Sequence, residues 1–284
     1  MANFNKHLIV VGSARSGTSW LSETLAQPFR YRMLFEPEEE TRTKNGHLLC
    51  DKWLTTKLGV TEVNRYLTKV FKNRVDCDWI AQNSNRKFKR HLWPFIPKKI
   101  IIKFVRANLS AKYMNENFKI PLIHIIRNPY EVIKSQKRAN FPWLIDLSHF
   151  LKQERLVELI KNEFNFDISE YKEKTTTEIL TIRWCIENVI PLEILEPYQY
   201  QSKVITYEDL IKDVGVFMDL CNTFNLEFID NIENFYRQPS TKTHSKSVIK
   251  TKEEKNISWD AQEINEVNQI LSIFQTKLYP IRNI

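Results

Sequence analysis

Glycine is scarce in this chain: five in 284 residues, with eleven prolines. Long flexible linkers are excluded by that shortage. Cysteine is also sparse. Cys50, Cys77, Cys185 and Cys221 are far apart in sequence and form no C-x-x-C pair, which argues against a cysteine zinc cluster or a redox dithiol. Four reduced thiols in a cytosol-like compartment are expected instead. No apolar run is long enough to span a bilayer, and Met1 to Lys6 is polar, with no signal-peptide core. The expectation is a cytoplasmic protein without stable membrane insertion.

Apolar residues are plentiful. They make up 42% of the chain, with 12% aromatic and 27% charged, enough for a sizeable buried core in a folded protein. The length suits one large α/β domain over residues 1–284, with two small domains as the alternative. The formal net charge is +8. Such a surplus attracts anions: nucleic acid, acidic glycan, a membrane surface or a polyphosphorylated cofactor.

Several short β-branched runs read as strands buried on both faces. They are His7–Val11, Ile100–Val105, Leu122–Ile126 and Lys203–Tyr207. Helical periodicity follows the first run, from Thr18 to about Ala26. Asn128 and Pro129 predict a helix start with an N-cap and a first-turn proline, running to about Lys137. A further helix runs from the acidic pair Glu208-Asp209 to about Phe224. Helical patterns also cover Trp143–Asn165, Thr177–Leu195 with a kink at Pro191, and Asp260–Leu278 with a capping box from Asp260 and Glu263. Strands alternating with helices predict a mostly parallel sheet flanked by helices, with ligands beyond the carboxyl ends of the strands. Arg15 and Arg127 both fall just past strand ends, so both should face one crevice.

The first chemical motif is Gly12-Ser-Ala-Arg15-Ser16-Gly17-Thr18-Ser19-Trp20. A loop between a buried strand and a helix start presents backbone N–H groups, and the helix dipole adds positive potential; together they bind phosphate-like anions. The Gly12-x4-Gly17 spacing matches a Walker A loop, but Thr18 stands where that loop has lysine. The cation is Arg15, inside the loop. The second motif is Ile126-Arg127-Asn128-Pro129-Tyr130-Glu131-Val132-Ile133-Lys134-Ser135. Arg127 ends a strand and Ser135 lies about two helical turns into the next helix. A guanidinium and a hydroxyl so placed can grip one phosphate from two sides.

Together these strings resemble the sulfotransferase family that uses 3′-phosphoadenosine-5′-phosphosulfate (PAPS). The first is similar to its 5′-phosphosulfate loop and the second to its 3′-phosphate site. Val204–Leu210 resembles the family's strand-end Y-E-D-L. Phe35-Glu36-Pro37 resembles the E-P segment of glycan-directed and bacterial members. The resemblance implies a P-loop-like fold, PAPS as co-substrate and transfer of its sulfuryl group to a hydroxyl acceptor, with no metal. It implies that Arg15, Ser16, Gly17, Thr18 and Ser19 hold the 5′-phosphosulfate, that Arg127 and Ser135 hold the 3′-phosphate, and that Trp20 stacks on adenine or sits in the core.

Sulfuryl transfer requires in-line positioning and stabilisation of the leaving phosphate. Glu36 is the candidate general base, and the solvated acidic run Glu36–Glu40 is its alternative. Lys103 is a candidate for the bridging oxygen, or else a snorkelling lysine. His47, His91 and His124 are weaker bases, His124 reading as a core histidine. The basic stretches 86–103 and 237–255 read as solvated faces, an acidic-glycan groove or a flap over the cofactor. The second of them lacks the family's R-K-G-x-x-G. A saccharide acceptor is expected by analogy. Two other readings stay open: a P-loop nucleotide kinase, opposed by Thr18, and a basic glycan- or nucleic-acid-binding protein, opposed by the absence of a nucleic-acid motif.

Overall fold

The structure, a computed structural model, describes residues 4–55, 61–82, 92–228, 232, 236 and 259–283. Five parallel strands form the central sheet: β1 (His7–Val11), β2 (Tyr31–Phe35), β3 (Lys99–Phe104), β4 (Leu122–Ile126) and β5 (Ser202–Thr206). Their order is β2-β3-β1-β4-β5, which places β1 at the centre. Every residue of β1 is buried, because the strand alternates between two cores. Leu8 and Val10 face one cluster; Ile9 and Val11 face the other. This two-faced burial is what an uninterrupted β-branched run encodes.

Helices cover both faces. On one, α1 (Thr18–Leu25) packs Leu21 and Leu25 with Val10 of β1 and Ile125 of β4. On the other, α2 (Thr61–Phe71) and α3 (Ala111–Phe118) pack against Ile9 and Ile102. A third core gathers around α4 (Pro129–Ala139) and a largely buried helix over Thr176–Val189. The expected α/β sheet flanked by helices is present.

Four of the five strands are those the periodicity predicts, within one residue at each end. The exception is β2. Its five residues carry Arg32, which is 3% exposed and donates to Asn73 Oδ1 at 3.1 Å. A buried arginine disguises the run as a loop.

The stretch predicted as one helix over Trp143–Asn165 is broken into a 3-10 turn at Pro142–Leu144, α5 (Ser148–Leu151) and α6 (Glu154–Phe164). Asp146 Oδ1 accepts the Ser148 N–H at 2.9 Å and starts a fresh turn there. The helix after β5 is also split, into α8 (Tyr207–Lys212) and α9 (Val214–Thr223), because Asp213 caps Gly215 N–H at 2.7 Å. Helix α7 (Thr176–Val189) gives way at Pro191 to a wider turn over Ile190–Ile194, as a residue without an N–H requires. The last helix, α10 (Ala261–Ile273), has Asp260 as N-cap, accepting Glu263 N–H at 2.6 Å. The Glu263 carboxylate pairs with Lys137 of α4.

No helix among the described residues is long and apolar enough to cross a membrane. All four cysteines are free, and Cys50, Cys185 and Cys221 are buried.

His124 in β4 is fully buried, with Nδ1 2.6 Å from the Tyr198 hydroxyl. Burial pushes its pKa down to about 3. The unfolded chain therefore takes up a proton below about pH 6.5 that the folded chain refuses. Stability from this group is full above that pH and falls as pH drops towards 3. Between pH 7 and 5 it accounts for a loss of about 2 kcal/mol. Urea unfolding at the two pH values should show His124→Gln with a shallower pH slope than the parent, whatever its absolute stability.

Candidate active site

The loop between β1 and α1 is shaped by close contacts. A Cβ on Gly12 would lie 2.3 Å from the Ile125 carbonyl oxygen, so only glycine lets β1 leave the sheet beside β4. Gly17 has φ +96°, and a Cβ there would sit 2.5 Å from the Tyr207 ring. Gly17 is also the N-cap of α1 and supplies no side-chain bond. The first N–H groups of α1 thus lack a side-chain acceptor, the condition for receiving an anion.

Arg15 adopts φ 72° and carries its side chain out of this loop. Its Nε donates to Ser135 Oγ of α4 at 2.9 Å. Arg127 Nη1 donates to the Arg15 carbonyl oxygen at 3.2 Å. The two sequence motifs, 112 residues apart, therefore meet at one point. Tyr207, the first residue of α8, lies under the Arg127 guanidinium at 4.4 Å from ring centroid to Cζ. Among the described residues no carboxylate lies within ion-pairing distance of either guanidinium. Burial, then the charges of Arg127 and Arg138, pull the Arg15 pKa down. Arg127 Nε is buried with no hydrogen-bond partner. Two half-buried cations and an orphaned donor fit a ligand with more than one phosphate group.

Other side chains brace the loop. Gln136 Nε2 donates to the Ala14 carbonyl at 3.0 Å, and Trp184 Nε1 donates to the Arg127 carbonyl at 3.2 Å. Glu208 Oε1 accepts Asn128 N–H at 3.0 Å, while Oε2 accepts the Tyr279 hydroxyl at 2.7 Å. Sequence reasoning marked Glu208 within the Y-E-D-L string and missed Gln136, Trp184 and Tyr279. The available signal was polar residues at i, i+4 spacing within an apolar helix: Arg183 with Glu187, and Trp184 with Asn188.

The expected loop residues fall into two groups. Ser16 commits both its N–H and its hydroxyl to the Ser13 carbonyl, at 3.2 and 2.6 Å. It shapes the loop. Thr18 is nearly buried, whereas Ser19 and Trp20 are half-exposed. Trp20 stands edge-on to Tyr207 and Tyr236, with centroids 6.1 and 4.9 Å away. Its Nε1 donates to the Tyr236 carbonyl at 3.3 Å.

The other two candidates meet each other. Glu36 follows β2, and its carboxylate pairs with the Lys103 ammonium of β3. Lys103 is 1% exposed, and its Nζ lies 4.2 Å from the Phe35 ring centroid. Its register partners are Val10 of β1 and Phe35 of β2. The pair therefore stands one to two strands from the phosphate loop, roughly 5–10 Å at the backbone. Glu36 keeps some exposure, 18% of its side chain. Glu38, which sequence reasoning passed over, is buried. Its Oε1 accepts the Val105 and Arg106 N–H groups at 2.6 and 3.1 Å, pinning the end of β3. Burial, then the Glu36 charge, raises its pKa to about 7.

His124, sealed within β4, is removed as a base. His47 lies exposed in a 3-10 turn, Gly46–Leu48. His91 and the whole of 237–255 lie outside the described residues, as does 86–91 of the first basic stretch.

A parallel α/β sheet with an anion loop at its central strand and a second cationic site on the neighbouring strand defines a nucleotide-dependent transferase class. The sulfotransferase domain family matches residues 5–258. The chain belongs to that family and is a sulfotransferase. Among solved structures it is similar to the sulfotransferase domain from the curacin biosynthetic pathway, at 16% identity over 96% of this chain and 98% of that one, TM-score 0.48. It is also similar to retinol dehydratase in complex with androsterone and the inactive cofactor PAP, at 14% identity over 94% and 71%, TM-score 0.31. No curated protein matches it.

Gly17→Ala should strain the loop and strike Tyr207. A left-handed φ costs a non-glycine residue about 1–2 kcal/mol before any clash. The expected outcome is a lower melting temperature and loss of adenosine 3′,5′-bisphosphate (PAP) affinity, checked by calorimetry of unfolding and of binding.

Proposed function

We propose that Arg15, the loop 12–17 and the start of α1 hold the 5′-phosphosulfate of PAPS, while Arg127 and Ser135 hold its 3′-phosphate. The carrying observation is the bond from Arg15 Nε to Ser135 Oγ, with Arg127 on the Arg15 carbonyl. One bisphosphorylated nucleotide can touch both motifs only if they adjoin. PAPS supplies an activated sulfuryl group whose leaving group is a phosphate. Arg15 and the loop N–H groups offset the charge growing on that phosphate. Glu36 accepts the proton of the acceptor hydroxyl at its carboxylate. Lys103, on the face of the sheet that packs against α1, holds Glu36 in place and faces the bridging oxygen. Residues 1–284 act as one domain, and the free cysteines suit a reduced, cytoplasmic setting.

The acceptor is a saccharide on this reading. What supports it is an aromatic wall beyond the end of β3. The rings of Phe141 and Trp143 lie 6.3 Å apart and within 12° of parallel, both half-exposed. The Arg106 guanidinium covers Trp143 at 4.7 Å. Flat aromatic faces rimmed by polar groups suit the apolar faces of sugar rings.

Arg127→Ala and Ser135→Ala should each weaken PAP binding by roughly 10–150-fold, the worth of a charge-assisted hydrogen bond at about 1.5–3 kcal/mol. Adenosine 5′-phosphate binding should fall by less, through the loosening of Arg15 that both residues hold. Equal losses for both nucleotides would remove the second phosphate site. Glu36→Gln should lower kcat by roughly 10²–10⁴ with PAP affinity intact. Transfer of labelled sulfate from PAPS into pooled saccharides, steroids and phenols tests the acceptor class. Label confined to non-sugar alcohols would overturn the saccharide reading alone.

A further inference from the structure

Three different ligand types converge away from the nucleotide site. Glu40 lies beyond the E-P turn after β2, Cys50 follows the 3-10 turn Gly46–Leu48, and His149 is in α5. One donor atom from each lies within 4.8 Å of the other two. His149 Nε2 is 3.0 Å from Glu40 Oε1. Cys50 is fully buried, and its sulfur has no hydrogen-bond partner among the described residues. From these positions we infer that Glu40, Cys50 and His149 form a binding site for a borderline-soft divalent cation of the zinc type.

The donor set suits such an ion. Imidazole nitrogen, carboxylate oxygen and thiolate sulfur all bind zinc at about 2.0–2.3 Å, so donors around it stand roughly 3.3–3.8 Å apart. Small movements bring these three to that spacing. Three protein ligands leave a fourth position for water. Glu40 and His149 keep 24% and 21% of their side chains exposed, whereas Cys50 is fully buried.

The site is braced. Gln153 Nε2 donates to the carbonyls of both Asp51 and His149 at 2.8 Å, tying the cysteine segment to α5. Gln153 Oε1 accepts Trp53 N–H at 2.8 Å, which fixes the amide. Arg106 Nη1 approaches Glu40 at 3.5 Å and orients it. Asp51, 2.6 Å from Arg106 Nη2 and shared with Arg183, offsets part of the Arg106 charge. Bound there, a cation would clasp the segment after β2 to α5 beside the aromatic wall, independently of sulfuryl transfer.

The test is titration of the metal-free protein with Co²⁺ and then Zn²⁺. The expected result is one cobalt per chain, with a thiolate-to-cobalt charge-transfer band that zinc abolishes. Cys50→Ser should lose the band, and His149→Ala should weaken zinc binding more than roughly 100-fold. Gln153→Ala, which removes the brace, should weaken it roughly 10–100-fold. Cys77→Ser should change nothing. PAP binding by each variant verifies that it has folded. No thiolate band in the parent, or a band that survives in Cys50→Ser, overturns the assignment.

Discussion

Two guanidinium groups without counter-ions govern this architecture. Arg15 and Arg127 are placed against each other at the ends of adjacent strands, half-buried, with no carboxylate of the described residues at either. Like charges brought together out of water raise the free energy of the folded chain. The arrangement persists because neutral groups hold each one. Ser135 receives Arg15, the Tyr207 ring supports Arg127, and Trp184 and Gln136 grip the backbone that carries them. Neutral braces fix position without cancelling charge. The positive potential is thereby kept for an anionic ligand, and Trp184 of helix α7 helps to maintain it.

The acceptor side follows the opposite rule. Every buried cation there has a carboxylate. Lys103 meets Glu36, and Arg106 meets Asp51. Arg183, wholly buried in α7, meets Asp51 and Glu187 and donates to the Leu144, Trp143 and Asp146 carbonyls as well. A buried guanidinium with all its donors engaged costs far less than one with donors left over. Arg183 thus anchors the irregular segment 142–147, which no helix pattern could have stabilised. Here each buried cation is met by a carboxylate, which the two guanidinium groups at the glycine loop lack among the described residues.

Much of the donor side was legible in the sequence because it is encoded locally. A β-branched strand, a glycine-bounded loop and a helix start lie within residues 7–25, and a strand, cap and proline within 122–135. Periodicity and turn chemistry read such runs directly. The acceptor side is encoded by distance. Glu36 gains meaning from Lys103, 67 residues on, and Asp51 from Arg183, 132 residues on. Glu38 looked like one more acid in a solvated run, and Arg32 hid β2 by being charged. The ligand trio of Glu40, Cys50 and His149 has no spacing signature at all, so a search for C-x-x-C or H-x-x-x-H was bound to pass it over.

Strand β3 is where the two electrostatic regimes meet. It lies beside β1, so Lys103 stands level with Val10 just before the phosphate loop. Two and three residues further on, the Val105 and Arg106 N–H groups are held by Glu38. Any shift of this strand end moves Lys103 relative to the donor loop and Arg106 relative to the aromatic wall. Glu38 cannot relax to compensate, since it is buried and bonded to consecutive N–H groups. A single inward-pointing side chain therefore fixes the end of β3 against the segment after β2, and its two N–H donors offset the cost of burying it.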